Sequence, residues 1–245
     1  MEDINTTHGN EGEIKVSPKF QPFLTPIAVI VAGVIIAMAI RSDGGTVKAP
    51  TQGGDTKQVV VDIKKVNITN DPFIGQKNAP VVVAYWSDYQ CPFCKKFEVE
   101  TLTPLIKEYV DTGKVKVVFK DYQFLSEDSD TAGLYGRAVW DLYPAQYFVW
   151  REAVFAKQDQ EHGGFGDDAT LYALTKTISG IDADKVKNRI VSNKDAYMKE
   201  LTGDKNEGTS FGISGTPGFI IGTKAIPGAA PYATFKQLID AELAK

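Results

Sequence analysis

Residues 80–97 read PVVVAYWSDYQCPFCKKF. The run Pro80–Tyr85 is apolar without interruption, rich in β-branched residues and bounded by turn formers, the pattern of a strand buried in a parallel sheet. Beyond it, Pro92 to Val110 reads as a helix, with Leu102, Leu105, Ile106 and Tyr109 spaced i, i+3, i+4, i+7. Cys91-Pro92-Phe93-Cys94 therefore stands where a buried strand hands over to a helix. Cys91 falls at the helix N-terminus, where unpaired N–H groups and the positive end of the macrodipole favour a thiolate. Pro92 suits the first turn, since its missing N–H costs nothing there. Cys94, one turn on, is expected to be shielded beneath Cys91, the exposed nucleophile, and placed to attack a mixed disulfide formed on it. A purely structural disulfide at this spacing closes too small a loop to stabilise much. Placement and spacing together point to a redox-active Cys91–Cys94 pair.

Working outward, Val59–Val66 reads as a strand and Asp71-Pro72 with Gly75 as a turn. Pro104 is expected to kink the helix past its middle. Asp111-Thr112-Gly113 ends that helix, and Val115–Asp121 is the next strand. Residues 129–207 show no strand pattern and read as a helical insertion crowded with aromatic side chains. Strand character returns at Gly218–Ile221 and Thr223–Ile226, a short hairpin turned at Gly222. Tyr232–Ala244 is a closing amphipathic helix.

The whole chain has 245 residues, 43% hydrophobic and 24% charged, which excludes a disordered chain. Setting aside the four acids and two bases of residues 1–40 leaves 25 bases against 27 acids, so no basic face supports nucleic-acid binding. Two cysteines in one motif and two histidines, His8 and His162, exclude a zinc site of three or four thiolates and a disulfide framework. No metal site and no cofactor are expected. Phe20–Ile40 carries no charge and Ile27–Ile40 is almost wholly apolar, long enough to cross a bilayer at about 20 residues per span. Ala37-Met38-Ala39 would fit a signal-cleavage site, but the acidic leader argues for an uncleaved anchor. The expected organisation is a cytosolic tail (1–19), a transmembrane anchor (20–41), a flexible tether (42–57) with a span of roughly 20–25 Å, and one α/β domain (58–245). Flanking charge leaves the orientation undecided, with Lys15 and Lys19 on one side and Arg41 and Lys48 on the other.

The order β-β-α-β, helices, β-β-α is that of a thioredoxin-like fold with an inserted helical domain. Ser87–Cys94, the upstream Asp71-Pro72, Gly75 and Ala79-Pro80-Val81, Gly212–Pro217 and Gly228–Tyr232 together resemble the DsbA-like thiol:disulfide oxidoreductases, over nearly all the chain beyond the tether. The resemblance implies a cis peptide bond between Thr216 and Pro217 beside the redox pair, and a Thr216 backbone that receives an extended client segment. One position departs from it. Strongly oxidising members often carry histidine where Phe93 stands, and a phenyl ring cannot stabilise a thiolate by charge or hydrogen bonding. An intermediate potential is expected, between about −270 mV for thioredoxin and about −120 mV for the strongest oxidants.

Of the remaining candidates, Asp88 is either a buried proton acceptor for Cys94 or a strand-end carboxylate that bonds turn amides. Lys95 and Lys96 read as exposed, and His162, in a Gly-rich loop, as a surface residue. Expected partners are unfolded or reduced client proteins, a quinone-linked membrane oxidoreductase for re-oxidation, and the membrane through the N-terminal helix, with the catalytic domain, a monomer, on the extracytoplasmic side. A disulfide isomerase or reductase and a non-catalytic binding domain are the competing readings. The tether leaves no room for the dimerisation domain usual in isomerases.

Overall fold

The computed structural model describes residues 61–160 and 163–245. The tail, the anchor (20–41) and the tether lie outside the described residues, as does His162; among the described residues no helix is long and apolar enough to cross a membrane. Among the described residues, five strands form one sheet: β1 (Phe73–Ile74), β2 (Val81–Ser87), β3 (Val115–Asp121), β4 (Gly218–Ile221) and β5 (Lys224–Pro227). Their spatial order is β1-β3-β2-β4-β5. β2 and β3 run parallel, with Tyr85 opposite Phe119, and every other pairing is antiparallel.

A parallel pair needs a crossover, and the helical run α1 supplies it. α1 begins as α-helix over Pro92–Phe97, widens to π geometry at Glu98–Leu102, tightens at Thr103–Leu105 and widens again at Ile106–Val110. Pro104 lies between the two wide stretches, which accommodate its missing N–H and ring. The β4–β5 hairpin turns at Gly222-Thr223, where Gly222 has φ +57°, the positive value that a two-residue turn of this kind requires. Among the described residues, four helices stand between β3 and β4: α2 (Glu127–Leu142), α3 (Tyr147–Lys157), α4 (Asp168–Lys176) and α5 (Ala183–Ser210). Ser126, Asp167 and Asp182 cap α2, α4 and α5 by accepting from backbone N–H groups in the first turn. The insertion therefore starts at Ser126, slightly ahead of the sequence boundary, and ends past it at Ser210. α6 (Tyr232–Leu243) closes the chain and buries Phe235 and Ile239.

The strand expected at Val59–Val66 is not formed over its described part. Ile63–Lys65 makes a single 3-10 turn, because the Asp62 side chain accepts from Lys64 N and bends the chain. Ile63 N then donates to Gly222 O at 2.8 Å. The first strand is instead Phe73–Ile74, inside the stretch read as a turn, and two residues are too few to show a period.

β2 is apolar throughout because both of its faces are covered. Val81, Val83 and Tyr85 enter the large cluster shared with α1, α6 and the insert. Ala84 and Trp86 pack on the other face with Val61, Val66, Tyr122, Ile213 and Ile220. The seam between sheet and insert is polar. Lys120 Nζ meets Asp71 and Asp204 at 2.5 Å each and Glu207 at 3.2 Å. Arg137 meets Asp204 at 2.5 Å, Asp121 at 2.6 Å and Asp71 at 3.0 Å. Burial drives the Asp204 carboxyl up to about 7, with Asp71 and Asp121 reinforcing the rise against the pull of Arg137 and Lys120.

Candidate active site

Cys91 is the N-cap of α1: its backbone is extended while Pro92 already begins the helix, and Cys94 N and Lys95 N donate to its carbonyl. Both cysteines are free thiols. Cys94 is wholly buried, as its place one turn into the helix required. Cys91 is only 4% exposed, not the open residue expected from its position at the helix start. Two contacts close over it. Its Sγ donates to Thr216 O at 3.3 Å, and Gln158 Nε2, just beyond α3, donates to its carbonyl at 3.1 Å. The Thr216-Pro217 bond is cis, the form that the resemblance implied. The surface beside the pair is apolar and open, with Pro92 exposed and Phe93 62% exposed.

The two thiols have opposite acidities. Cys91 falls from an ordinary 9.0 to about 6. The largest cause is the hydrogen bond from the Cys94 thiol; burial opposes it, while the Thr216 hydroxyl and the N–H groups of Cys94 and Phe93 add to it. Helix-end amides, expected to dominate, are the smaller share. Thr216 Oγ1 is buried beside the two sulfurs with no backbone or carboxylate to engage it, so it is free to donate to the thiolate. Cys94 moves the other way: burial pushes its thiol well up, and its role as donor to Cys91 holds the proton on. An acidity of about 6 for Cys91 lies between the roughly 3.5 of the most oxidising thiols of this type and the roughly 7 of thioredoxin.

Asp88 is fully buried, and its carboxylate is occupied by the turn. Oδ1 accepts from Gln90 N at 2.8 Å, and Oδ2 from Phe124 N at 3.0 Å and Leu125 N at 3.4 Å. Burial nevertheless raises its pKa. Asp88 reaches Cys94 through its backbone and not through its carboxylate. Lys95, read as exposed, is partly buried: its Nζ caps the end of the α3 segment by donating to Gln158 O at 2.7 Å. Lys96 is exposed, 3.9 Å from Glu100.

The insert thus grips the redox turn through residues that the sequence pattern did not single out. Gln158 Nε2 also donates to Tyr89 O at 2.6 Å, and Gln90 Nε2 donates to Phe165 O at 3.0 Å. Beneath Cys94 lies a second buried group. Arg151 of α3 donates from Nε and Nη2 to Glu98 Oε1 at 3.0 and 2.7 Å, and from Nη2 to Ser87 Oγ at 2.9 Å. Its guanidinium lies over the rings of Phe119, Phe155, Tyr89 and Tyr85, 4.3–5.3 Å from their centres. A glutamate four residues beyond a helical cysteine shares its face, which is the one sequence signal for Glu98; none marks Arg151 or Gln158.

One acidified sulfur beside one protonated sulfur, at the head of a crossover helix, defines a thiol:disulfide exchange centre on a thioredoxin-like scaffold. The family model described as thioredoxin matches residues 67–241, and the chain belongs to that family, among its DsbA-like thiol:disulfide oxidoreductases. Disulfide bond formation protein D of Bacillus subtilis (strain 168) is 28% identical over 177 residues, spanning 72% of this chain and 79% of that protein. A probable disulfide bond formation protein D of Bacillus cereus is 26% identical over 174 residues, spanning 70% and 78%. Among solved structures, oxidised BdbD from Bacillus subtilis superposes with a TM-score of 0.69 at 26% identity, covering 77% of this chain and 99% of that one. The thiol-disulfide exchange protein alpha-DsbA2 from Wolbachia pipientis gives a TM-score of 0.62 at 26% identity, covering 71% and 87%.

Proposed function

We propose that this oxidoreductase works in the oxidising direction, introducing disulfides into client proteins while held at the outer face of a membrane by residues 20–41. The observation that carries the direction is the Cys91 thiol at about 6. A sulfur stabilised as thiolate stabilises the reduced enzyme, and a stable reduced form makes the disulfide form an oxidant. A client thiolate attacks Cys91 Sγ in the oxidised enzyme; the Cys91–Cys94 bond breaks, and Cys94 leaves and takes up a proton. A second client thiolate attacks the client sulfur of the mixed disulfide, and Cys91 leaves as thiolate. Phe93, exposed beside the pair, offers an apolar contact to unfolded segments. The chain has no third cysteine, so re-oxidation falls to a partner, for which a quinone-linked membrane oxidoreductase is the proposed class. The apolar stretch 27–40 supports the anchor, and the exchange chemistry supports an extracytoplasmic domain. The domain is proposed to act as a monomer.

The test is the reduction potential of the Cys91–Cys94 couple, with its redox state in intact cells. An oxidase is expected between about −270 and −120 mV and disulfide-bonded in the cell. A couple at or below the thioredoxin value, held reduced, would turn the reading to a reductase or isomerase. Cys94→Ala is expected to accumulate mixed disulfides with clients through Cys91, and Cys91→Ala with Cys94→Ala to abolish oxidation. A double variant that keeps full function would leave only the binding-domain reading.

A further inference from the structure

Glutamine side chains cross between the redox turn and the insert in both directions. Gln90 Nε2 reaches outward, to Phe165 O at 3.0 Å. Gln158, the C-cap of α3, reaches inward and is buried. Its amide spends both protons on carbonyls that flank Gln90, Tyr89 O at 2.6 Å and Cys91 O at 3.1 Å. Its own carbonyl is held in return: Lys95 Nζ donates to Gln158 O at 2.7 Å, while Lys95 N donates to Cys91 O at 3.2 Å. Cys91, Lys95 and Gln158 thus close a ring of hydrogen bonds around the head of α1. A carbonyl oxygen has two lone pairs, and Cys94 N and Lys95 N already engage those of Cys91. The bond from Gln158 is a third, surplus to the helix cap. Pro92 confines Cys91 to extended backbone, but ψ there still ranges over about 40°. That torsion decides where the sulfur stands against the Phe93 and Cys94 amides, since sulfur and helix lie on opposite sides of the rotating bond.

We infer that Gln158 is a positioning residue for the exchange reaction: from the end of α3 it holds the Cys91 carbonyl, and through that torsion holds Sγ against Thr216 and the first amides of α1. This rests on the exchange reading above. Donors converge on the sulfur from several sides, the Cys94 thiol, the Thr216 hydroxyl and the N–H groups of Phe93 and Cys94. They act together only while the turn carries the sulfur to the place where they meet, so a turn free to swing loses part of each. The amide also acts directly. Its N–H groups face the turn, and their partial positive charge offsets the negative end of the Cys91 carbonyl next to the sulfur. The insert therefore takes part in the chemistry without touching the reacting atoms.

The experiment titrates Cys91 in the reduced protein by iodoacetamide alkylation across pH 4–10. Gln158→Met keeps the length of the side chain and removes both donors; Gln158→Asn keeps the amide but withdraws it by about 1.5 Å, one carbon–carbon bond. In each, the acidity of Cys91 is expected to move up from about 6 by about 0.5–1 pH unit, the worth of one hydrogen bond. Alkylation at pH 6 then slows about two- to fivefold, and the equilibrium with glutathione at pH 7 moves about three- to fivefold toward the disulfide form. Tyr197→Phe cuts the bond from α5 to Asp141 of α2 and serves as the comparison for a loosened insert. It is expected to lower the melting temperature and to leave the Cys91 titration at its wild-type position. If Gln158→Met does not fold, Gln158→Asn decides alone. Glutamine variants whose Cys91 still titrates at about 6 overturn the assignment and leave Gln158 a strut between insert and sheet. A wild-type Cys91 that ionises no more readily than free cysteine would instead strike the exchange reading itself, so the two failures are distinct.

Discussion

Thr216→Val preserves the shape of the loop beside the redox pair and deletes one buried hydroxyl, which lies beside both sulfurs. A hydrogen bond to a charged group contributes about 1.5–3 kcal/mol, and one pKa unit corresponds to about 1.36 kcal/mol. The substitution therefore raises Cys91 by about 1–2 units, from about 6 into the range of roughly 7–8. At pH 7 the thiolate population drops from about nine-tenths to between about one-tenth and one-half. Because the native pKa lies below the ordinary 9.0, the thiolate contribution to the reduced fold is complete above the ordinary value and is lost as pH falls through about 6. In the variant the lower edge of that window moves up. The disulfide form has no thiolate to lose, so the couple becomes less oxidising by about 1–1.4 kcal/mol at pH 7, or about 20–30 mV. Iodoacetamide alkylation across pH 4–10 gives the acidity, and equilibration with glutathione gives the potential. Thr216→Ser is expected to behave as wild type. A valine variant that still titrates near 6 would refute the assignment of the hydroxyl as a thiolate donor.

Three further outcomes follow from the same structure. Phe93→His, which places an imidazole beside the pair, is expected to lower Cys91 below about 6 and make the couple more oxidising; an unchanged alkylation profile would count against it. Asp204, raised to about 7 in the fold, stabilises the native state in its protonated form, a contribution full below about pH 4 and lost as pH rises through about 7. Measured on the oxidised protein, to keep Cys91 silent, the melting temperature of wild type should fall from pH 5 to pH 8 more steeply than that of Asp204→Asn; equal slopes would contradict the assignment. Lys120→Met leaves Asp71 and Asp204 with only one of their two shared cations, Arg137, and is expected to lose about 3–5 kcal/mol in urea unfolding.

The parts of this molecule visible in the sequence are those whose signal is local. β2, α1, the hairpin at Gly222 and the closing helix each carry their own period or turn residue. Cys91 and Cys94 are marked by spacing and by the elements on either side. β1 was hidden because two residues cannot show an alternation, and Val59–Val66 misled because Asp62 spends its side chain on bending the chain. The burial of Cys91 leaves no local mark for a different reason: its cover comes from Thr216 and Gln158, far away along the chain. The same holds for Lys120 and Arg137, whose carboxylates lie on three separate segments. Local pattern carries no trace of such pairings.

The acidity of Cys91 and the inertness of Cys94 are one effect seen from two sides. The proton that stabilises the first sulfur by hydrogen bonding is the proton that the second must surrender, so the pair titrates as a unit. Strengthening that bond makes the enzyme a better oxidant and slows its own re-oxidation. The insert holds the surroundings of both sulfurs in place. α3 supplies Arg151 to fix Glu98, and Gln158 at its end to fix the Cys91 backbone. Loosening α3 should therefore act at two places at once, freeing the Cys91 carbonyl from Gln158 and the buried Glu98 carboxylate from Arg151.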